Sequence, residues 1–199
     1  ISDGEDREYF CTIDELENEQ VRAKIEDVNG VAKELPIKVT LFQALPKGDK
    51  METVIQKMIE LGAYEIVPVF TNNKKAVSKT KRWNSIAESA AKQSKRGIIP
   101  KVSMPVTYKE ALKMAEAMDM VLIPYENAEN MAHTRQVVSQ IKTGMTVGIF
   151  IGPEGGFAEE EVEQAINTGA YDITLGKRIL RTETAGMALM SVLMFETEE

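Results

Sequence analysis

Apolar and polar positions alternate from Gln20 to Val28, with Val21, Ala23 and Ile25 set against Arg22, Lys24 and Glu26, and the run ends at Asn29-Gly30. A period of two predicts a half-buried strand, and the residues before it read as hairpin or turn material. After a short linker, Glu34-Leu35-Pro36, the period changes. Ile37, Val39 and Leu41 predict a strand. Met51, Val54, Ile55, Met58 and Ile59 then recur at helical spacing, between a capping-box-like start (Asp49 with Glu52) and a stop at Gly62. Further along, the pattern predicts strands over 65–70, 120–124, 147–151 and 173–175. Helices are predicted over 81–95, 158–168 and from about 183 to 195. Glu159, Glu160 and Glu161 fall in the first turn of the second of these, where the helix dipole favours acids, and Gly169 closes it. Alternating strands and helices predict an α/β fold, a mostly parallel sheet with helices on both faces. Residues 1–33 are too few to form a core of their own.

Two of the predicted strands run into glycine-bearing loops. Val147 to Ile151 breaks into Gly152-Pro153-Glu154-Gly155-Gly156, and Leu175-Gly176 opens a second loop that continues through Arg181 to Ala185. Glycine lets a backbone take positive φ and approach a ligand closely. Ligands of open α/β sheets bind beyond the carboxyl ends of the strands, so the two loops predict a shared pocket; either alone would read as an ordinary turn. The chain contains neither G-x-G-x-x-G nor G-x-x-x-x-G-K-S/T, so a dinucleotide fingerprint or a phosphate-cradling loop of those types has no support.

Composition narrows the classes. The 199 residues, 43% hydrophobic and 28% charged, are ordinary for a globular chain with one well-filled domain and a small partner. A single cysteine, Cys11, excludes an internal disulfide and fits a reducing, cytoplasmic setting. With one histidine, His133, no zinc site of His/Cys type can be assembled, and no metal is expected. No apolar run approaches a membrane span, so no membrane partner is expected. The sequence opens at Ile1 rather than methionine, which predicts residues upstream. A net charge of −7 argues against nucleic acid, but its distribution reverses that reading. Nine basic residues lie between Lys74 and Lys101, opposed only by Glu88. A basic stripe on an acidic body is the footprint of selective RNA binding.

The wording of the glycine loops carries a resemblance. Gly152-Pro153-Glu154-Gly155-Gly156-Phe157, Leu175-Gly176 and Ile179-Leu180-Arg181-Thr182-Glu183-Thr184-Ala185 resemble the bacterial RsmE family of the SPOUT superfamily. So do Leu45-Pro46-Lys47-Gly48-Asp49-Lys50-Met51-Glu52, Ala90 to Arg96 and Ile123-Pro124-Tyr125-Glu126. The resemblance spans residues 36–199, and it implies a SPOUT methyltransferase domain tied by a C-terminal trefoil knot. Generic topology rules predict no knot. Residues 1–33 resemble the C-terminal part of a PUA-like RNA-binding β-barrel, cut short. The implied activity is transfer of a methyl group from S-adenosyl-L-methionine to N3 of one uridine in 16S ribosomal RNA of the small subunit, by a homodimer. The Met-rich last helix (Met187, Met190, Met194) offers an adaptable apolar face for such a dimer. A SPOUT enzyme methylating transfer-RNA ribose 2′-OH, and a non-catalytic RNA-binding assembly factor, are the competing readings.

By the same resemblance the cofactor pocket comprises Ile123, Pro124, Tyr125 and Glu126; Ile151, Gly152, Pro153, Glu154, Gly155 and Gly156; and Leu175, Gly176, Ile179, Leu180, Thr184 and Ala185. Uridine N3 is protonated at neutral pH, so a positioned cation would favour its anion and a carboxylate could take the proton. Arg181 and Glu183 are the candidates; alternatively Glu183 begins the final helix and Arg181 pairs with it or with Glu154. Gln93 and Arg96 share a helix face inside the basic stripe and, with Lys92, Lys95, Lys47 and Lys50, are candidate RNA contacts. Trp83, at helical spacing with Ile86 and Ala87, reads as core rather than a stacking platform. Between Phe70 and Lys79 the chain departs from the family, which usually has an arginine where this one reads Thr71-Asn72-Asn73-Lys74-Lys75.

Overall fold

Strands β1 (Arg7–Leu16) and β2 (Val21–Gly30) pair antiparallel, with two register shifts, into a separate two-stranded ribbon. The computed structural model describes residues 1–30, 33–70, 79–128 and 130–198. The unusual stretch at 71–78 lies outside the described residues. The predicted half-burial of β2 does not hold: Val21 is 61% and Ile25 54% exposed, because among the described residues no second layer stands behind the ribbon. It touches the rest of the chain near its base, where Asp6 N–H donates to the Gly97 carbonyl (2.9 Å) and Glu5 bridges Ile98.

The remaining chain runs β3 (Lys38–Ala44), α1 (Lys50–Glu60), β4 (Glu65–Phe70), α2 (Thr80–Gln93), β5 (Lys101–Val102), β6 (Val106–Thr107), α3 (Tyr108–Ala115), β7 (Met120–Pro124), α4 (Met131–Val138), β8 (Thr146–Ile151), α5 (Glu159–Asn167), β9 (Tyr171–Ile173) and α6 (Thr182–Thr197), of which the pattern predicts all but β5, β6, α3 and α4. The strands form one sheet in the order β5-β4-β3-β8-β7-β9, with β6 also beside β4, and every pairing is parallel. β9 sits two residues earlier than predicted. Its ladder with β7 ends at Ile173, and Thr174 leaves it to exchange hydrogen bonds with the Thr134 hydroxyl.

Alternation along each strand divides the core into two layers. Leu41, Leu122, Ile149 and Ile151 face α1, α2 and α6, where Met58, Trp83 and Leu189 complete one cluster. Phe42, Ile123 and Phe150 face α3 and α5, with Tyr108, Val162 and Ala165. Phe42 and Phe150 stack with centroids 4.5 Å apart. A Cβ on Gly148 would lie 2.8 Å from Met118 Sδ and 3.3 Å from that Phe42 ring, so the strand position beside the stack takes only glycine without repacking.

Several local expectations change. Asp49 precedes α1 but its side chain caps nothing; Glu52 instead pairs with Arg82, Nε to Oε1 at 2.7 Å. The capping box lies at α3, between Thr107 and Glu110. Met190 is fully buried in the first core layer, so the expected methionine face of α6 is turned inward at that position. The exposed apolar residues of α6 are Val192 and Phe195, the latter 82% exposed.

Candidate active site

Three loops meet at the carboxyl ends of adjacent parallel strands β8, β7 and β9, and they enclose a cavity of about 740 Å³. Pro124 to Glu126 leave β7, Ile151 to Phe157 leave β8, and Thr174 to Leu180 leave β9; Thr182 and Ala185 of α6 form the floor's edge. The size falls in the roughly 300–1,000 Å³ range of small-molecule sites. The pocket predicted from the glycine loops is therefore present, with two corrections. Ile123 is fully buried against the Phe150 layer and does not reach the cavity, since its β-strand side chain points to the opposite face. Thr184 is exposed on α6 outside it.

Local sequence explains the shape. A Cβ on Gly152 would lie 3.0 Å from the Gly156 carbonyl carbon and from Phe157 N, so the β8 loop can fold back on itself only with glycine there. Gly156 (φ +75°) and Gly176 (φ +108°) occupy the left-handed region that side chains disfavour. Gly155 has no neighbour within 4 Å of an added Cβ, so it borders open space. Tyr125 N–H donates to the Ile173 carbonyl at 2.9 Å, joining the β7 and β9 loops. Among the described residues, the backbone N–H groups of Lys177, Arg178, Ile179 and Leu180 donate to no protein acceptor. Unpaired backbone donors lining a cavity need a partner from outside the chain.

Beside the cavity five charges converge. The Lys47 backbone N–H donates to Glu154 Oε1 at 2.8 Å, and Lys50 Nζ lies 3.4 Å from Glu183 Oε1. Both carboxyls are held below the usual glutamate range. For Glu154 the Lys47 N–H is the main cause; for Glu183 it is its own backbone N–H at the start of α6, followed by Lys50 and Arg181. Each therefore stays ionised at neutral pH, and the contacts it supports weaken only as pH falls through its lowered value. Arg181, the residue before α6, is exposed; its carbonyl accepts from the N–H groups of Thr184 and Ala185, both at 2.8 Å, while its guanidinium makes neither ion pair nor hydrogen bond among the described residues. It is not the partner of Glu183 or Glu154; lysines 47 and 50 have those places. Neither Arg181 nor Glu183 lines the cavity; they flank it on either side of Thr182.

The RNA candidates separate. Lys92, Gln93 and Lys95 are exposed at the end of α2, with Lys92 held 2.6 Å from Glu88. Arg96 is not available to RNA. It is 9% exposed, ion-paired with Glu34, and donates through Nη1 to the carbonyls of Ile59 (3.2 Å) and Ala63 (2.6 Å). Trp83 is core at 2% exposure. Sequence reasoning passed over Thr174, Asn130, Met131 and Thr182 of the site. Asn130 carries a visible signal, the side-chain cap of α4 through Ala132 N–H at 2.9 Å. Thr182 carries none, since its surroundings come from residues far away in sequence.

The chain matches the family model for the RNA methyltransferase domain over residues 33–194. Among curated proteins it is 35% identical over 201 residues to the ribosomal RNA small subunit methyltransferase E of Bacillus subtilis, covering 96% of this chain and 78% of that protein. It is 39% identical over 160 residues to the protein of the same name from Mesomycoplasma hyopneumoniae, covering 77% of this chain and 68% of that one. A crystal structure of the Neisseria gonorrhoeae ribosomal RNA small subunit methyltransferase E bound to S-adenosylmethionine superposes with a TM-score of 0.83 at 33% identity, covering 98% of this chain and 81% of that one. With the loops, cavity and parallel sheet in place, these matches make the chain a member of the ribosomal RNA small subunit methyltransferase E family, RsmE.

Proposed function

We propose that the chain methylates N3 of one uridine in 16S ribosomal RNA of the small subunit, using S-adenosyl-L-methionine bound in the three-loop cavity. The observation that carries the assignment is the cavity itself: glycine walls without side-chain bulk, in a loop, 177–180, whose backbone N–H groups have no acceptor among the described residues. Such a wall suits a ligand read through neutral edges, as an adenine is. Bound there, the cofactor supplies an electrophilic methyl group. The protein's part is to hold the base in line with it, because most of the rate can come from positioning.

Arg181 is an exposed cation beside the cavity, as are Lys177 and Arg178 on its wall, and would stabilise the negative charge that a uracil oxygen gains as N3 loses its proton. Glu183, ionised and paired with Lys50, would take the proton. Lys47, Lys92, Gln93 and Lys95 stand where RNA phosphate or a base edge could reach them. In the same reading the SPOUT trefoil knot holds the β8 and β9 loops together, the ribbon of β1 and β2 belongs to a PUA-like RNA-binding unit, and the enzyme works in the cytoplasm as a homodimer. Ile179 at 89% exposure on the cavity loop, and Phe195 at 82% and Val192 at 44% on α6, are exposed apolar residues that such a dimer could cover.

The direct test of the site is Gly155→Val. Its Cβ meets nothing in the fold, so the variant should melt like wild type. Calorimetry should find no S-adenosylmethionine binding, because the branched side chain fills space the ligand needs. Normal binding by a folded Gly155→Val would place the cofactor elsewhere.

A further inference from the structure

The cavity is held by a hydrogen-bond chain that begins in the core. Gln43, near the end of β3, is completely buried. Its Nε2 donates to the Ala44 carbonyl and to Thr182 Oγ1, both at 2.9 Å, while its Oε1 has no donor among the described residues. The Ala44 carbonyl fixes the amide's orientation, since a flip would set two acceptor oxygens against each other. Thr182 Oγ1 therefore accepts from Gln43, and its single proton goes to the Gly152 carbonyl, 2.6 Å away. Gly152 starts the β8 wall, and the next residue, Pro153, has no N–H with which to anchor the turn.

Packing alone does not account for a glutamine at position 43. A buried amide oxygen without a donor costs stability that an apolar side chain would avoid. What the amide supplies is direction. It compels the Thr182 hydroxyl to point at Gly152, and so joins β3, the β8 loop and the start of α6 at one point.

We propose that Gln43 is a positioning residue of the methyl-transfer site: through Thr182 it locks the Gly152 carbonyl, so that the β8 loop and the segment entering α6 meet the cofactor as one rigid wall. The inference rests on the assignment of the three-loop cavity to S-adenosylmethionine. Pre-organisation of this kind acts on affinity by removing the need to order the loop on binding.

The test compares cofactor affinity by calorimetry, and single-turnover methylation at saturating cofactor, across Thr182→Val, Thr182→Ser, Gln43→Leu, Gln43→Glu and the Gln43→Leu/Thr182→Val double variant. Thr182→Val and Gln43→Leu should each weaken binding about tenfold, the scale of one lost hydrogen bond. The double variant should be no worse than either single change, because both break the same chain. Thr182→Ser keeps the hydroxyl and should bind like wild type.

Gln43→Glu gives a signature that a merely structural role would not. A neutral carboxyl can still donate to Thr182. A carboxylate can only accept, and would draw the Thr182 proton away from Gly152. Burial raises that carboxyl's pKa, so this variant should bind tightly at low pH and lose affinity as pH rises through the raised value, a limb absent from wild type. If Gln43→Leu does not fold, the isosteric Thr182→Val decides. Affinities within twofold of wild type for folded Thr182→Val, with no pH limb in Gln43→Glu, would overturn the proposal, provided Gly155→Val abolishes binding. Should Gly155→Val bind normally, the cavity assignment fails instead.

Discussion

At the scale of single residues, chemistry and architecture use the same residue types for different ends. Arg181 and Arg96 both read as functional cations in the sequence, yet one is exposed beside the cavity and the other is buried against Glu34. Their variants should diverge. Arg181→Ala and Arg181→Lys should each lose on the order of a hundredfold in single-turnover rate, the scale of removing one preorganised donor. Lysine is no substitute because its point charge lacks the planar fork. Cofactor affinity should stay near wild type in both, and a rate within a few-fold of wild type would remove Arg181 from the mechanism. Arg96→Ala should instead lower stability by about 3 kcal/mol in urea unfolding, as expected when one partner of a buried ion pair is removed. Two carbonyls, those of Ile59 and Ala63, lose their donor at the same time. A loss under about 1 kcal/mol would show that Glu34 and those carbonyls are satisfied by water.

At the scale of elements, the longer strands of the parallel sheet and helices α1, α2, α5 and α6 could be read from the sequence because their apolar period is strong, whereas the two-residue strands β5 and β6 could not. Val147 to Ile151 is an uninterrupted apolar run buried on both faces, and α1 repeats its apolar residues on one side. α3 and α4 went unread although each carries a cap, Thr107 with Glu110 and Asn130, because they have only eight residues. The glycine loops could be read as a pocket since positive φ and close approach leave a residue-type trace. Gln43 and Thr182 could not: they lie 139 residues apart, and only the fold brings them together. Ile123 was misplaced for a related reason, as a motif does not say which strand residue points to which face.

The end of α2 is the element on which RNA binding can be tested without touching the cavity. Arg96 drops out of the phosphate-facing set, which leaves Lys92 and Lys95. Lys92→Gln/Lys95→Gln should weaken RNA binding and reduce the slope of log affinity against log salt by about one unit per lost phosphate contact. An unchanged slope would show that these lysines are only solvated, with Lys92 satisfied by Glu88.

At the scale of the whole molecule, a parallel sheet places three strand-end loops in one corner, and a basic helix end and an exposed ribbon extend from the same chain. Among the described residues no helix is long and apolar enough to cross a membrane. The ribbon's exposed Phe10, Ile13, Leu16, Val21, Ile25 and Val28 show why its burial was misjudged from the alternating pattern. A period of two reports that a strand has an apolar side and does not say what, if anything, packs on it.

The atom that receives the methyl group separates this enzyme from its alternatives. The most direct measurement incubates the protein with S-adenosylmethionine and unmethylated small ribosomal subunits, then maps the product by mass spectrometry of the digested RNA. The account predicts one added methyl at a single 16S uridine, on the base at N3, and none with Gly155→Val. A methyl on a ribose 2′-OH, modification of transfer RNA in place of 16S RNA, or no modification by a protein that binds the cofactor would contradict it.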